Sequence, residues 1–420
     1  MRIVFSFFYK DYFLRELFII VNIILIITLP FNNFRFNGIF FIDKLSIVLL
    51  FLRIWVFSFS WYSISIGKVT KFLVILIEVF SIIRFSIYSY FIFYISFEST
   101  FIILFVFLLM LGKNMERIQS SFYIFFYTIV FSLPFLILLI DLKSISDGYF
   151  FINFYDYKKR ILWIFIFIIF LVKIPVYGVH LWLPKAHVES PILGSMVLAG
   201  IILKLGFYGL FRHWGLIKSK INTIIFRLIF IICLLGGIMI TINCIIQTDL
   251  KIIIAYSSIV HIRISLLGII RINRLGIEGC LLRLISHGFI SPILFFIITI
   301  CYNNFNSRRV LILKSYLILN PIIFYLWFIF MFINLGVPPF ISFFAEFYIL
   351  SSLSFISLNE LLIIIIISLT RGIYCIIIFL ELSHGKKRNS MITHSFTHIN
   401  YLPIYIALFI LIFYILFFFI

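Results

Sequence analysis

Several ionisable residues sit inside the apolar stretches of this chain, and six of them could pass protons. They are Glu98 in FIFYISFESTFIILFVF, Lys173 after ILWIFIFIIFLV, Lys204 in SMVLAGIILKLGFYGLF, His261 in IAYSSIVHIRISLLG, His287 in LISHGFISPILFF and Glu346 in VPPFISFFAEF. Each can hold or release a proton in suitable surroundings. Placing a lysine or carboxylate near the middle of a membrane span costs about 2.5–3.5 kcal/mol on insertion scales, so a group of them calls for a reason. Any one alone reads equally well as an ion pair or hydrogen-bonded tie between helices. Taken together, two lysines, two glutamates and two histidines are the set that passes protons. Burial disfavours the charged form of a lysine and a nearby carboxylate favours it, so drawing a glutamate away from such a lysine drives its proton off. A transport stroke can be built from that step. The set offers no nucleophile–base pair and no metal-ligand spacing, which argues against hydrolytic or covalent chemistry.

A denser cluster occupies LVKIPVYGVHLWLPKAHVESP, residues 171–191, where Lys173, His180, Lys185, His187 and Glu189 lie among three prolines. Lys173, beside Pro175, is expected to be a proton-holding switch. His180 to Glu189 are expected to cap its helix and join it to the next, with Lys185, His187 and Glu189 at a membrane surface. Arg53, Arg84, Arg263, Arg283 and Arg371 also fall within or near apolar runs. Arginine hardly ever gives up its proton, so these are expected as anchors or carboxylate partners. The five cysteines are scattered without a CxxC pair, a spacing that fits neither an iron–sulfur cluster nor a zinc site. No GxGxxG or Walker-type loop is present either. Electrons of any redox system that includes this chain travel elsewhere.

The elements that must hold these residues follow from composition. Of 420 residues, 64 % are hydrophobic and 12 % charged, with a mean hydropathy of +1.24. A soluble domain of this length carries a far larger charged fraction. Apolar runs of about 20 residues, enough to cross a bilayer as helices, recur along the whole chain. Runs such as LLIIIIISL do not alternate as barrel strands would, so the fold expected is an all-α polytopic membrane protein. About 13 or 14 spans are predicted by the ~20-residue criterion, near 13–29, 45–62, 72–88, 90–111, 119–140, 161–181, 191–211, 223–246, 250–270, 276–301, 318–337, 339–357, 360–381 and 401–419. The N-terminus shows no cleavage site or transit-peptide pattern, and its first apolar run reads as the first span. Part of the basic excess behind the net charge of +19 sits in short clusters at 157–160, 307–309 and 385–389. Such clusters orient helices by the positive-inside rule and do not point to nucleic acid.

Two places break the pattern. Pro175 falls inside a span, and Pro338 and Pro339 precede Glu346 by a few residues. Proline removes a backbone donor and bends or breaks a helix, and such breaks sit inside the protein or beside water. The breaks lie about 160 residues apart, each next to an ionisable residue, as expected of a transporter with two repeats that each carry an interrupted helix. By proportion, N-terminal helices occupy 1–71, the repeats 72–211 and 223–382, and a loop with a last span 383–420.

The stretch LVKIPVYGVHLWLPKAHVESPILGSMVLAGIILKLGFYG resembles the signature of the subunit 4 family of proton-pumping NADH:ubiquinone oxidoreductase, respiratory complex I, in its mitochondrial form. LGKNMERIQSSFY, QTDLKIIIAYSSIVH, LISHGFISPILFF and NLGVPPFISFFAEF match in the same order, so the resemblance covers roughly residues 90–381. The related antiporter-like subunits 2 and 5 are not expected to carry LPKAHVE in this form. The resemblance implies two inverted five-helix repeats with interrupted helices, and a first half-channel that pairs Glu98 with Lys173. It places the next lysine of a central polar axis at Lys204, the histidine of the second repeat at His261 or His287, and the terminal glutamate at Glu346. It implies a multi-pass protein of the mitochondrial inner membrane, beside subunits 2 and 5 and driven by quinone reduction in neighbouring subunits. NADH, FMN, iron–sulfur clusters and ubiquinone would be bound by those other subunits, with no cofactor on this chain.

The chain also departs from the pattern. Ile103 stands where a proline is usual, Val260 where a serine is common, and Arg263 is an added charge. The N-terminal region has one span fewer than longer members. These departures suggest a divergent version from an animal mitochondrion. Two other readings use the same buried charges: a stand-alone monovalent cation/proton antiporter, and a non-transporting scaffold whose charges only tie helices together.

Overall fold

With no water in a bilayer core, a chain satisfies its backbone polar groups within its own helices, and these apolar runs fold accordingly. The computed structural model describes residues 34–36, 40–62, 68–87, 89–112, 115–143, 160–220, 223–271, 273–305, 307–314, 320–353, 358–384 and 402–418. The first expected span, near 13–29, and most of the basic clusters at 157–160 and 385–389 lie outside these residues. A short antiparallel hairpin, Phe34–Phe36 with Phe40–Ile42, precedes the helices.

The helices are α1 (Lys44–Tyr62), α2 (Lys68–Ser86), α3 (Tyr90–Leu111), α4 (Glu116–Lys143), α5 (Arg160–Lys173) and α6 (Trp182–Glu189). Next come α7 (Ile192–Val197), a π-helical turn (Leu198–Ile202), α8 (Leu203–Lys220), α9 (Thr223–Ile246), α10 (Leu250–Ile270) and α11 (Arg274–Phe305). The last are α12 (Pro321–Leu335), α13 (Ile341–Ser352), α14 (Leu358–Ser383) and α15 (Leu402–Phe418). Seven stretches among the described residues are long and apolar enough to cross a membrane. Their burial sorts them. Arg274–Asn303 is wholly buried and Leu250–Ile270 and Ile192–Trp214 nearly so, whereas Glu116–Ile137 and Glu360–Ser383 are mostly exposed. Lys204, His261 and His287 therefore ride on the three innermost helices, shielded from lipid.

The expected span at 161–181 is not one helix. α5 stops at Lys173 because Pro175 lacks the N–H that would continue the ladder. The chain turns through Gly178 at φ 98° before α6 begins. The expected spans at 318–337 and 339–357 are likewise shorter: α12 has 15 residues and α13 has 12. At about 1.5 Å per residue neither reaches across an apolar layer about 30 Å thick. α12 ends on Gly336 in the left-handed conformation, φ 82°, its N–H closing onto Phe332 and Ile333. Pro175 is buried whereas Pro338 and Pro339 are exposed, and at both breaks a side chain satisfies a carbonyl released there: Trp182 Nε1 donates to Val172 (3.3 Å) and Ser342 Oγ to Ile333 (2.7 Å). From the loop cluster, Arg308 donates to the Val188 carbonyl at the end of α6 (2.7 Å).

Close helix approach depends on two glycines of α8. A Cβ on Gly206 would stand 2.9 Å from Ile174 Cγ1, and one on Gly209 only 2.2 Å from the Phe170 ring. Phe170 is buried against Phe93, Phe97, Phe135 and His213 and cannot yield. Overpacking of this kind costs about 1–3 kcal/mol. Gly209→Ala is therefore expected to lower the thermal stability and membrane yield of the protein. Gly372→Ala, whose Cβ meets only Leu335 Cδ2 at 3.9 Å, should leave both unchanged.

Candidate functional site

The first centre forms where α3 passes the end of α5. Lys173 Nζ donates to Glu98 Oε1 at 2.7 Å, with the lysine side chain 1 % and the glutamate side chain 11 % exposed. Phe97 and Phe101, on the same face of α3, bring their rings to 4.0 and 3.9 Å from Nζ, a cation–π arrangement that steadies a desolvated cation. A second cation, Arg84 of α2, donates to the Ser96 carbonyl and to Thr100 Oγ1 (2.9 Å), on either side of Glu98. Gly206 of α8 lies against the Lys173 backbone, which brings the helix of Lys204 beside the first centre.

The second centre is a row running across the innermost helices. In the π-helical turn, the Ala199 carbonyl accepts a hydrogen bond from Lys204 Nζ, a use of irregular helix that recurs at functional sites. Lys204 Nζ also meets His287 Nδ1 at 2.9 Å, and the rings of His287 and His261 lie 5.7 Å apart. Beyond them, His261 Nε2 bonds Asn334 Oδ1 and His261 Nδ1 bonds Arg283. Arg283 reaches Glu346 Oε1 at 2.6 Å. Arg371 grips both oxygens of Glu346 at 2.6 Å and donates to the Leu335 carbonyl at the break (2.8 Å). Such forked Arg–carboxylate pairs are strong and directional. Gly336 makes room for the clamp, since a Cβ there would stand 3.0 Å from Glu346 Oε1.

The six sequence-expected residues thus fall into two groups: Glu98 with Lys173, and Lys204, His287 and His261 leading to Glu346 through Arg283. Three of the five arginines are carboxylate partners, as expected. Arg53 pairs with Glu78 (2.9 Å) and Arg283 and Arg371 share Glu346, whereas Arg263 lies 5.4 Å from the Tyr177 ring. LPKAHVE is largely covered by the protein's own helices. His187 is 0 % exposed and stacked on Phe295 at 4.6 Å, and Glu189 is also buried. Only Lys185 stays partly open, on a cavity of about 200 Å³ that Glu116, Gln247 and Glu189 also line. α6 folds inward because α4 and α10 cover it.

Sequence reasoning missed Glu78, Asn334 and Lys251, the last donating to the Ser190 carbonyl (3.1 Å). Asn334 carried a signal, as the polar residue just ahead of Gly336 and two prolines. Glu78 carried none. Among the described residues, no cluster of three or more His, Cys, Asp or Glu could hold a metal ion.

Interrupted helices and a buried row of Glu, Lys and His define an antiporter-type membrane subunit, and the comparisons agree. The family model described as NADH:quinone oxidoreductase/Mrp antiporter, transmembrane, matches residues 88–373. The chain is 34 % identical over 383 residues to NADH-ubiquinone oxidoreductase chain 4 of Ceratitis capitata, covering 88 % of this chain and 85 % of that one. It is 34 % identical over 345 residues to the same protein of Artemia franciscana, covering 81 % and 88 %. The chain belongs to the NADH-ubiquinone oxidoreductase chain 4 family. Its fold is shared with a chain of respiratory complex I from Thermus thermophilus with bound NADH (TM-score 0.86, 18 % identity, 96 % of this chain and 89 % of that one). It is also shared with a chain of the Mrp complex from Dietzia sp. (TM-score 0.75, 15 % identity, 83 % and 68 %).

Proposed function

We propose that this chain is a proton-translocating subunit of the membrane arm of NADH:ubiquinone oxidoreductase, in the mitochondrial inner membrane. The observation that carries this reading is the buried Lys173–Glu98 ion pair at a helix break, set beside a second buried row from Lys204 to His261. Lys173 holds a proton while Glu98 faces it. Movement of Glu98 destabilises the ammonium in its dry site, and the proton passes toward Lys204. His287 and His261 carry it on toward Glu346. The polar cavity beside Lys185 and Glu189 is the aqueous approach to the interior. Quinone reduction in neighbouring subunits supplies the force that moves Glu98. The antiporter-like subunits 2 and 5 are its neighbours, and NADH, FMN, iron–sulfur clusters and ubiquinone belong to other chains. The two breaks mark two inverted five-helix repeats, about 72–211 and 223–382.

Extraction of the native membrane in mild detergent, separation of complexes by size and mass spectrometry of the bands tests the assignment. Co-migration with flavin- and iron–sulfur-bearing subunits of an NADH-oxidising assembly is expected. Migration alone or only with small membrane chains would overturn it in favour of a free cation/proton antiporter.

A further inference from the structure

Arg283 occupies an unusual position. One of its terminal nitrogens, Nη2, contacts both His261 Nδ1 and Glu346 Oε1. On the other side of the ring, His261 Nε2 meets Asn334 Oδ1, whose amide nitrogen turns toward Cys375 Sγ. An amide oxygen only accepts and a guanidinium only donates. His261 is therefore the neutral tautomer with its proton on Nε2, and its one basic lone pair, on Nδ1, is covered by Arg283. The other groups facing His261 are His287 of α11 and Arg371 of α14, neither of which can accept a proton from it while carrying charge. A proton can enter His261 only when Arg283 leaves Nδ1. Arginine does not clear the way by deprotonating; it has to move.

We propose that Arg283 is a positioning residue that interlocks His261 with Glu346, so that His261 loads only when Glu346 is empty. With Glu346 ionised, Nη2 is shared between its carboxylate and the imidazole, the arrangement seen here, and Nδ1 is uncovered when Arg283 shifts fully onto the carboxylate. The N–H bond on the His287 side then breaks, a new one forms at His261 Nδ1, and the positive charge moves with the proton. When Glu346 takes the proton, the carboxylate charge is gone. Arg371 retains the carboxyl group in its fork, Arg283 returns to Nδ1, and the next proton waits. The interlock passes one proton at a time and opposes two-proton loading or back-flow through the same row.

The test rests on the proton-carrying reading of His261 and uses the assembled complex with ¹⁵N-labelled histidine. Infrared difference spectra are taken across pH, and His261→Asn identifies the His261 bands. Glu346→Gln mimics a permanently filled Glu346, so the His261 imidazolium signal is expected to vanish. Adding Arg283→Gln in that background should bring it back. A merely structural arginine would not restore a signal lost elsewhere. An imidazolium signal that persists in Glu346→Gln, or stays absent in the double variant, overturns the interlock alone. A parent complex with no His261 signal at any pH overturns the proton-carrying role of His261 as well. Glu346 keeps its Arg371 fork in Arg283→Gln, which favours folding. Should that variant fail to assemble, Asn334→Asp gives the same reading from the other side. A carboxylate on Nε2 favours imidazolium and displaces Arg283, so the signal should return in Glu346→Gln/Asn334→Asp, and its absence overturns the proposal.

Discussion

Lys173→Met is expected to lower the protons pumped per NADH and to destabilise the chain, and the two effects separate in one further variant. Lys173 is the sole ion-pair partner of Glu98 among the described residues, at 2.7 Å and almost wholly shielded. Removing one member of a buried pair leaves an uncompensated charge, which costs about 3–5 kcal/mol. That is a large part of the about 5–15 kcal/mol that holds a typical domain together. Glu98→Gln in the same chain neutralises the stranded carboxylate and should recover most of the assembled complex on a native gel. Pumping should not recover, because no group is left at the break to hold a proton. Pumping per NADH that stays at the parent value in Lys173→Met would sink the switch role. Pumping that recovers together with assembly in the double variant would favour a scaffold whose charges only tie helices together.

Lys204→Met is the second large effect, with the same loss of pumping and a different stability signature. No carboxylate lies within 4 Å of Lys204 among the described residues, and its contacts are the Ala199 carbonyl and His287. The substitution strands those two polar atoms, at about 1–3 kcal/mol for each buried group left without a partner. It also removes an amine whose charged form costs several kcal/mol to bury. The opposing effects are of similar size. Thermal unfolding of the extracted complex should therefore shift far less than in Lys173→Met, while proton transfer between the two centres is cut. Unchanged pumping in Lys204→Met would mean that Lys173 passes its proton by a route that bypasses α8. A loss of stability as large as that of Lys173→Met would mean that Lys204 has a counter-charge.

Much of this was legible in the residue order. The spans from α1 to α4 and from α9 to α11 were foreseen to within a few residues, because a ~20-residue apolar run has one satisfactory state in lipid. The two breaks were legible for a similar local reason, since proline cannot continue the ladder. What was not legible was the burial of LPKAHVE. Three charged or titratable residues in seven suggest a surface, yet α6 is roofed by α4 and α10, and His187 and Glu189 are buried. Contacts between residues far apart in the chain carry no local pattern. Nothing near Arg53 announces Glu78, and nothing near Arg371 announces that it shares Glu346 with Arg283.

The sequence alone therefore settled the membrane-spanning helices, their interruptions and the types of residue available for moving protons. Those follow from hydropathy and backbone hydrogen bonding, which act over a few residues. Which charge meets which was decided in three dimensions. Lys173 meets Glu98 across 75 residues and Lys204 meets His287 across 83, and those partners are chosen by helix packing. Small residues such as Gly206 and Gly209 let α8 close on α5, and the π-helical turn points the Ala199 carbonyl at Lys204. The buried charges have identity from the chain, but their order as a row exists only because the helices pack around α11.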